Sequence, residues 1–467
     1  MRAQIFFLAW LFLLALPVLL LTNQYEKHFS ISLIPIFICI SYSGYRLAYI
    51  SAIGRQEIVA TTFWVFIYVF LGICPFLQIS TNTFPWPGYY EDAVLFKAGM
   101  IILTSIFSFE IGNRVLPKKF VTTIAPTILK KPIQLNTVGL LAIVAIILAI
   151  YFQHKLGGIA NLFVTRIEST QYLQDQSTTG TIAPKIALMN KLARTPTYVI
   201  LIATLVVWVT YIKNRKKISL KWKLLAIILF GFVLILNNPI STPRLMIGTI
   251  LLSFFFILPW QRQYGLYIVF GLIVTLVLVF PFSDLFRNTL DVSLKERIEQ
   301  KSVIDTLISK GDFDAYQLLV DSVVVIDNTS YQLGKQISSA FLFWVPRSIW
   351  INKGKPTGEF IAEQVGYKYT NLSAPLWMEF YVDGGWIFVV IGFIGYGIFV
   401  QALDYWNYVY QFSTKNLSPK IVLIFVPIYA GYQIFLLRGA LLPAIAYLSS
   451  IVLFIYLCSI RVTLNIK

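Results

Sequence analysis

Residues 135–152 read LNTVGLLAIVAIILAIYF, eighteen positions without a charged side chain, set between Lys130-Lys131 and His154-Lys155. As a helix such a run crosses close to the roughly 30 Å of hydrocarbon in a bilayer. The same kind of block recurs along the chain. The expected spans are Ile5–Leu21, Ile31–Ile50, Ile58–Ile79, Ala93–Leu116, Leu135–Phe152, Thr195–Ile212, Leu220–Leu236, Leu245–Trp260, Tyr264–Phe282, Trp386–Leu403, Ile421–Leu437 and Leu441–Ile460. Composition agrees: of 467 residues 57% are hydrophobic and 13% charged, against roughly 25% charged in a globular domain. Mean hydropathy is +0.73. Aromatics, at 16%, suit rings anchored at membrane interfaces. The pattern predicts one all-α polytopic membrane domain over residues 1–467 with about twelve transmembrane helices. It excludes a soluble domain.

The net charge of +17 would point to nucleic acid in a soluble protein. Here much of it is topological, because cytoplasmic loops collect Lys and Arg, and no nucleic-acid partner is expected. Arg46 and Arg55 read as loop cations that follow the second span. Arg114, Lys118, Lys119, Lys130 and Lys131 follow the fourth, and Lys213, Arg215, Lys216, Lys217, Lys221 and Lys223 follow the sixth. Arg262, Lys415, Lys420, Arg461 and Lys467 continue the series, whereas the loop from Ser80 to Asp92 has none. All fall on one side if both termini are cytoplasmic. The first block follows Arg2 but precedes no small-residue cleavage motif, so it reads as an uncleaved helix. Cys39, Cys74 and Cys458 lie inside apolar blocks and read as small core residues.

Two segments break the pattern, and both fall outside in this topology. Residues 153–194 open with Leu156-Gly157-Gly158-Ile159. Ile159, Leu162, Phe163 and Ile167 then recur at helical spacing, as in a helix lying in the interface. Residues 283–385 show helical periodicity, with Phe313, Tyr316, Leu319 and Val320 as one face. Loops held by a rigid scaffold usually carry function.

The second segment reads Gly311-Asp312-Phe313-Asp314, Leu333-Gly334-Lys335-Gln336 and Phe343-Trp344-Val345-Pro346-Arg347-Ser348-Ile349-Trp350. It continues through Lys355-Pro356-Thr357-Gly358 and Asn371-Leu372-Ser373-Ala374-Pro375 to Glu379-Phe380-Tyr381. From Gly311 to Gly397 it resembles the Wzy-type polymerases of O-antigen and capsular polysaccharide, the oligosaccharide repeat-unit polymerases. Elsewhere the likeness is in helix count and in the two large outer loops. Where that family often has Asn-Phe-Gly beyond the glutamate, this chain has Asp383-Gly384-Gly385. The resemblance implies a GT-C-like fold in the bacterial inner membrane. It also implies a glycosyltransferase that moves a glycan from polyprenyl diphosphate to a lipid-linked acceptor unit. Membrane lipids and a chain-length regulator protein are the partners it implies.

Such a reaction needs cations for the leaving diphosphate and a base for the acceptor hydroxyl. Arg244 follows Ser241-Thr242-Pro243, a cap with proline in the first turn, so an anion could bind between the arginine and the helix N-terminus. Arg347 follows Pro346 among Trp344 and Trp350. Arg287, Lys353, Lys355, Arg166, Arg194 and Arg438 are further candidates, with Tyr381 beside the motif glutamate as a glycan contact. Glu379, between Trp377 and Tyr381, is the first candidate base. Glu359 and Glu363, four apart on one helix face, and His154 are the others. Asp312-Phe313-Asp314 imitates a metal motif but reads better as a helix N-terminus. Basic side chains can hold the diphosphate, so no metal or cofactor is expected. The nearest alternative is an O-antigen-ligase-type transferase sharing the donor. A lipid-linked glycan transporter would place charges in mid-span, whereas the charges here sit at span ends and in outer loops. A non-enzymatic assembly scaffold would tolerate alanine at Arg347.

Overall fold

A computed structural model describes residues 2–21, 28–53, 57–115, 127–164, 184–258, 265–280, 303–412 and 418–462. The first nine helices are α1 (Arg2–Leu20), α2 (Leu33–Ile53), α3 (Ile58–Thr81), α4 (Asp92–Arg114), α5 (Leu135–Lys155), α6 (Pro184–Lys213), α7 (Leu220–Leu236), α8 (Arg244–Ile257) and α9 (Gly265–Val279). Four shorter helices follow: α10 (Val303–Ser309), α11 (Ala315–Asn328), α12 (Lys335–Phe341) and α13 (Thr357–Val365). The chain closes with α14 (Leu376–Phe412), α15 (Val422–Arg438) and α16 (Leu441–Leu457). The one β-type pairing among the described residues is an isolated bridge between Pro132 and Lys420.

Each expected span overlaps a helix, and residues 116, 259, 260, 264, 281 and 282 of those spans lie outside the described residues. Seven of them, α1 to α6 and α14, are long and apolar enough to cross a membrane. The others, α7, α8, α9, α15 and α16, are shorter apolar helices. In α1 and α5, and also in the shorter α7, the outward residues are apolar: Phe7, Leu8 and Phe12, then Ile143, Ile147 and Ile150, then Ile227, Phe230 and Leu234. An apolar exterior of this kind is what hydrocarbon covers. The molecule is therefore an all-helical protein compatible with multi-pass insertion.

The centre is α3, apolar and buried along almost its whole length, packed by α2, α9, α14 and α15 and by Phe109 of α4, whose ring lies 3.8 Å from that of Phe63. Thr61 Oγ1 donates to the Glu57 carbonyl, and Thr62 Oγ1 to that of Ile58, the back-bond open to Ser and Thr in apolar helices, while Gln78 Nε2 reaches the Leu307 and Phe313 carbonyls. Pro75 brings no N–H, and the turn before it, Val69–Ile73, widens to a π-helix that absorbs the break. Where α4 crosses α14, Gly112 and Gly397 face each other. A Cβ on Gly112 would stand 2.0 Å from the Ile394 carbonyl oxygen, and one on Gly397 2.3 Å from that of Phe109. Small residues here let two backbones touch.

The segment after residue 302 is helical, as its periodicity predicts. α11 packs on α4, α13 and α14, and α12 on α16. One expectation needs correction. The span expected from Trp386 begins ten residues earlier, at Leu376, so Glu379, Tyr381 and Asp383 stand on a helix rather than in a loop. Gly384 and Gly385 break it, with φ +59° and ψ −145° at Gly385, a combination open in practice only to glycine. Trp386 is the first residue past that break. A second correction concerns Arg46. It is fully buried within α2, seven residues before Ile53, not a loop cation. The expected interfacial helix is represented by a short 3-10 turn, Ala160–Leu162, and its remainder falls beyond the described residues.

Candidate functional site

Arg194 within α6 and Arg244 and Arg438 at the ends of α8 and α15 form a group of arginines beside the 303–375 layer. Arg244 is the first residue of α8. Its Nη2 donates to Asp312 Oδ2 at 2.5 Å, its Nη1 to the Phe280 carbonyl at 3.3 Å, and its guanidinium lies 4.9 Å from the Phe280 ring centre. Arg438 closes α15. Its Nη2 donates to Asp314 Oδ1 at 3.1 Å and, closer still, to the Gly311 carbonyl. Arg194, on α6, donates from Nη1 to Thr242 Oγ1 at 2.9 Å. The Nε atoms of Arg194 and Arg438 are buried and make no hydrogen bond among the described residues.

Gly311-Asp312-Phe313-Asp314 is thus the acidic counterpart of this arginine group. Asp314 does sit at the N-terminus of α11, but its side chain makes no capping bond, contrary to expectation. Its carboxylate accepts from Trp86 Nε1 at 2.9 Å and Ser373 Oγ at 2.8 Å besides Arg438. Burial raises its pKa despite the arginine. Thr242 likewise caps nothing, since Pro243 is the N-cap without a side-chain bond.

Two turns along α11, Asp321 is buried and accepts from Tyr90 Oη at 2.6 Å and Tyr367 Oη at 2.9 Å. Desolvation pushes its pKa up to about 6. Gln317 ties the Trp86 backbone and Tyr90 into the same network.

Glu379 is 1% exposed. Its Oε1 accepts the Leu441 amide at 2.6 Å, and its Oε2 accepts the Thr357 hydroxyl. It therefore joins the first turns of α13 and α16. Asp383 does the same for α12, accepting from Gln336 N at 3.0 Å and Ile337 N at 2.7 Å. Asp404 accepts from Val59 and Ala60 of α3, both at 2.9 Å. Three carboxylates of α14 thus occupy free amides at the starts of three other helices. Asp383 and Asp404 were not candidates from sequence. Their signal is a lone acid beside an apolar run, opposite helices lacking a capping residue of their own.

Arg347 and Lys353 organise one loop. Arg347 Nη1 donates to the Lys353 carbonyl at 2.8 Å and Nη2 to that of Gly354 at 3.2 Å. The Lys353 ammonium is buried on the carbonyls of Leu342, Phe343 and Val345, at 3.0, 2.8 and 2.9 Å. Burial and then Arg347 lower the pKa of Lys353. Lys355 is exposed and paired with Glu363 at 2.6 Å and Glu359 at 3.5 Å, a hydrogen bond to Glu363 raising its pKa. The Glu359–Glu363 pair is therefore an exposed ion cluster with Lys355. The buried Tyr381 ring lies 6.0 Å from the Lys97 ammonium. His154 is exposed in the last turn of α5. Arg166 and Arg287 fall outside the described residues.

Of the basic candidates, Arg194, Arg244 and Arg438 are brought together, while Arg347 and Lys353 form a separate loop staple. No family model matches the chain, and no curated protein or solved structure is similar enough to it to count as a match.

Proposed function

We propose that this protein polymerises lipid-linked oligosaccharide repeat units at the outer face of a bacterial inner membrane, as a Wzy-type glycosyltransferase. The reading rests on the resemblance of residues 311–397 and on one observation. Three arginines, Arg194, Arg244 and Arg438, converge at one end of an apolar helix bundle, where a diphosphate on a membrane-held isoprenoid would lie. In the reaction the acceptor hydroxyl gives its proton to a base as its oxygen bonds the anomeric carbon. The bond from that carbon to the diphosphate oxygen breaks, and polyprenyl diphosphate leaves with the electron pair. Guanidinium groups stabilise that leaving charge with paired N–H donors. Glu379 is the base in this reading. Because both its oxygens are engaged, it reaches an acceptor only by exchanging Thr357 or the Leu441 amide.

The test is deletion of the gene, with the surface glycan run on a gel, beside purified protein given lipid-linked repeat units. A ladder collapsing to one repeat, and chain growth by the purified protein, are expected. An unchanged ladder would falsify the proposal. Loss of all capped product with chain growth intact would assign it as a ligase instead.

A further inference from the structure

At the opposite end of the bundle, Arg46 is fully buried between α2, α3 and α4. Its Nε donates to Glu110 Oε1 at 2.5 Å. Its two terminal nitrogens, Nη1 and Nη2, are buried and have no partner among the described residues. The guanidinium lies 5.2 Å from the ring centre of Trp64, itself wholly buried with an indole N–H that has no partner among the described residues either. Tyr49 closes one side at 6.0 Å. Arg114 lies 4.9 Å from the centre of the same ring, with Nε 3.4 Å from Glu110 Oε2. Arg114 is 37% exposed and forms the rim.

A guanidinium with four N–H bonds unmade in an apolar interior costs several kcal/mol. That is a sizeable part of the roughly 5–15 kcal/mol by which a fold is stable. The unmet groups are all donors. A guest with acceptors only, and a negative charge, satisfies a wall of donors better than water, which must also place two protons. Within ion-pair distance two arginines meet one carboxylate, Glu110. The other acids at this end are Asp404, whose oxygens are held by the Val59 and Ala60 amides, and Glu57 at the start of α3.

We propose that Arg46, Trp64 and Arg114 form a binding site for a phosphate-type oxyanion, supplied by a phospholipid headgroup or by free phosphate. The site is independent of the glycosyl-transfer reading, which is placed at the other end of the bundle. Arg46 grips two oxygens of the guest, the Trp64 indole N–H a third, and Glu110 holds both arginines in register.

The experiment uses the full chain, purified in detergent and stripped of lipid. Thermal unfolding is followed with inorganic phosphate, with phosphatidylglycerol, and with chloride at equal ionic strength. Stabilisation over chloride by phosphate identifies the free anion; stabilisation by the lipid alone identifies the headgroup. Either shift must vanish, or need roughly tenfold more ligand, in Arg46→Gln, since charge-assisted hydrogen bonds contribute on that order. It must persist in Arg244→Ala, which alters the other arginine group. If Arg46→Gln does not fold, Trp64→Phe keeps the ring and the Arg46–Glu110 pair, and must raise the half-saturating concentration severalfold. No shift over chloride with either probe overturns the site. So does a shift that survives Arg46→Gln, is lost in Arg244→Ala, or has unchanged half-saturation in Trp64→Phe.

Discussion

Arg244 and Arg347 look alike in the sequence, each preceded by proline near one edge of the bundle. Their partners separate them. Arg244 meets a carboxylate, Asp312, beside two other arginines, whereas among the described residues Arg347 meets only the carbonyls of its own loop. Loss of the Arg244 guanidinium removes charge from the proposed diphosphate site. Arg244→Ala should lower kcat/KM for lipid-linked repeat units by about a hundredfold or more, the usual scale for losing one preorganised donor, with Lys rescuing in part. Arg347→Ala should instead make residues 342–354 sensitive to limited proteolysis and lower activity less. Equal activity losses with equal protease resistance would contradict this division. A third residue gives a pH dependence. Asp321 has a folded pKa of about 6, above the roughly 3.9 of a free aspartate. Below the free value it is protonated folded and unfolded, and burial is without penalty. Between about pH 4 and pH 6 the unfolded carboxyl is ionised while the buried one still holds its proton, so the stability it allows is lost across that window and levels off above it. Hydrogen-exchange protection of α11 should therefore fall between about pH 4 and pH 6, and Asp321→Asn should flatten that profile. Protection that rises over the range would refute the assignment.

Elements were more legible in the sequence than their ends. The expected span Leu220–Leu236 is reproduced residue for residue by α7, because a run of apolar residues in lipid has one economical conformation, the helix. The motif segment was legible as helical but not in its joints. A local pattern could not show that Glu379, Asp383 and Asp404 each start a different helix, since those contacts link residues far apart in sequence. The same long-range pairing hid Asp312 and Asp314, which read locally as caps and instead meet Arg244 and Arg438. One joint can be tested directly. The break in α14 depends on Gly385, whose φ of +59° a side chain resists and where a Cβ would stand 2.8 Å from the Tyr331 ring. Gly385→Ala should destabilise the protein by about 1–3 kcal/mol, seen as a lower Tm in detergent, and loosen α12 from Asp383. A Gly385→Ala protein with unchanged Tm would mean that the break is not needed.

At the scale of the whole molecule, the chain sorts its charges by end, and the sorting yields a topology. Arg194, Arg244 and Arg438 with Asp312 and Asp314 occupy one end of the bundle, and Arg46, Glu110, Arg114 and Asp404 the other. The lysine-rich run from Lys213 to Lys223 joins α6 to α7 at the second end, where Lys213 reaches the Gln411 carbonyl at the close of α14. Cytoplasmic loops hold the excess of Lys and Arg, so the second end should face the cytoplasm and the motif layer the opposite side. The buried position of Arg46 leaves this argument intact, because the count stands on Lys213 to Lys223 without it. It does remove one objection to a transporter, since an ionised side chain now lies inside a span. What still favours glycosyl transfer is that the larger arginine group stands at the motif end. The prediction is that single cysteines near Lys216 and near Lys310, in a variant lacking Cys39, Cys74 and Cys458, label from opposite sides of the membrane. Lys310 should react with an impermeant maleimide on intact spheroplasts, and Lys216 only after permeabilisation. Removing the three native cysteines should be mild, since each is buried and unpaired and small apolar replacements keep their volume. Labelling of both sites from one side would place an even number of crossings between them, and the motif layer would then share a compartment with the lysine-rich loop, where an outer-face polymerase could not work.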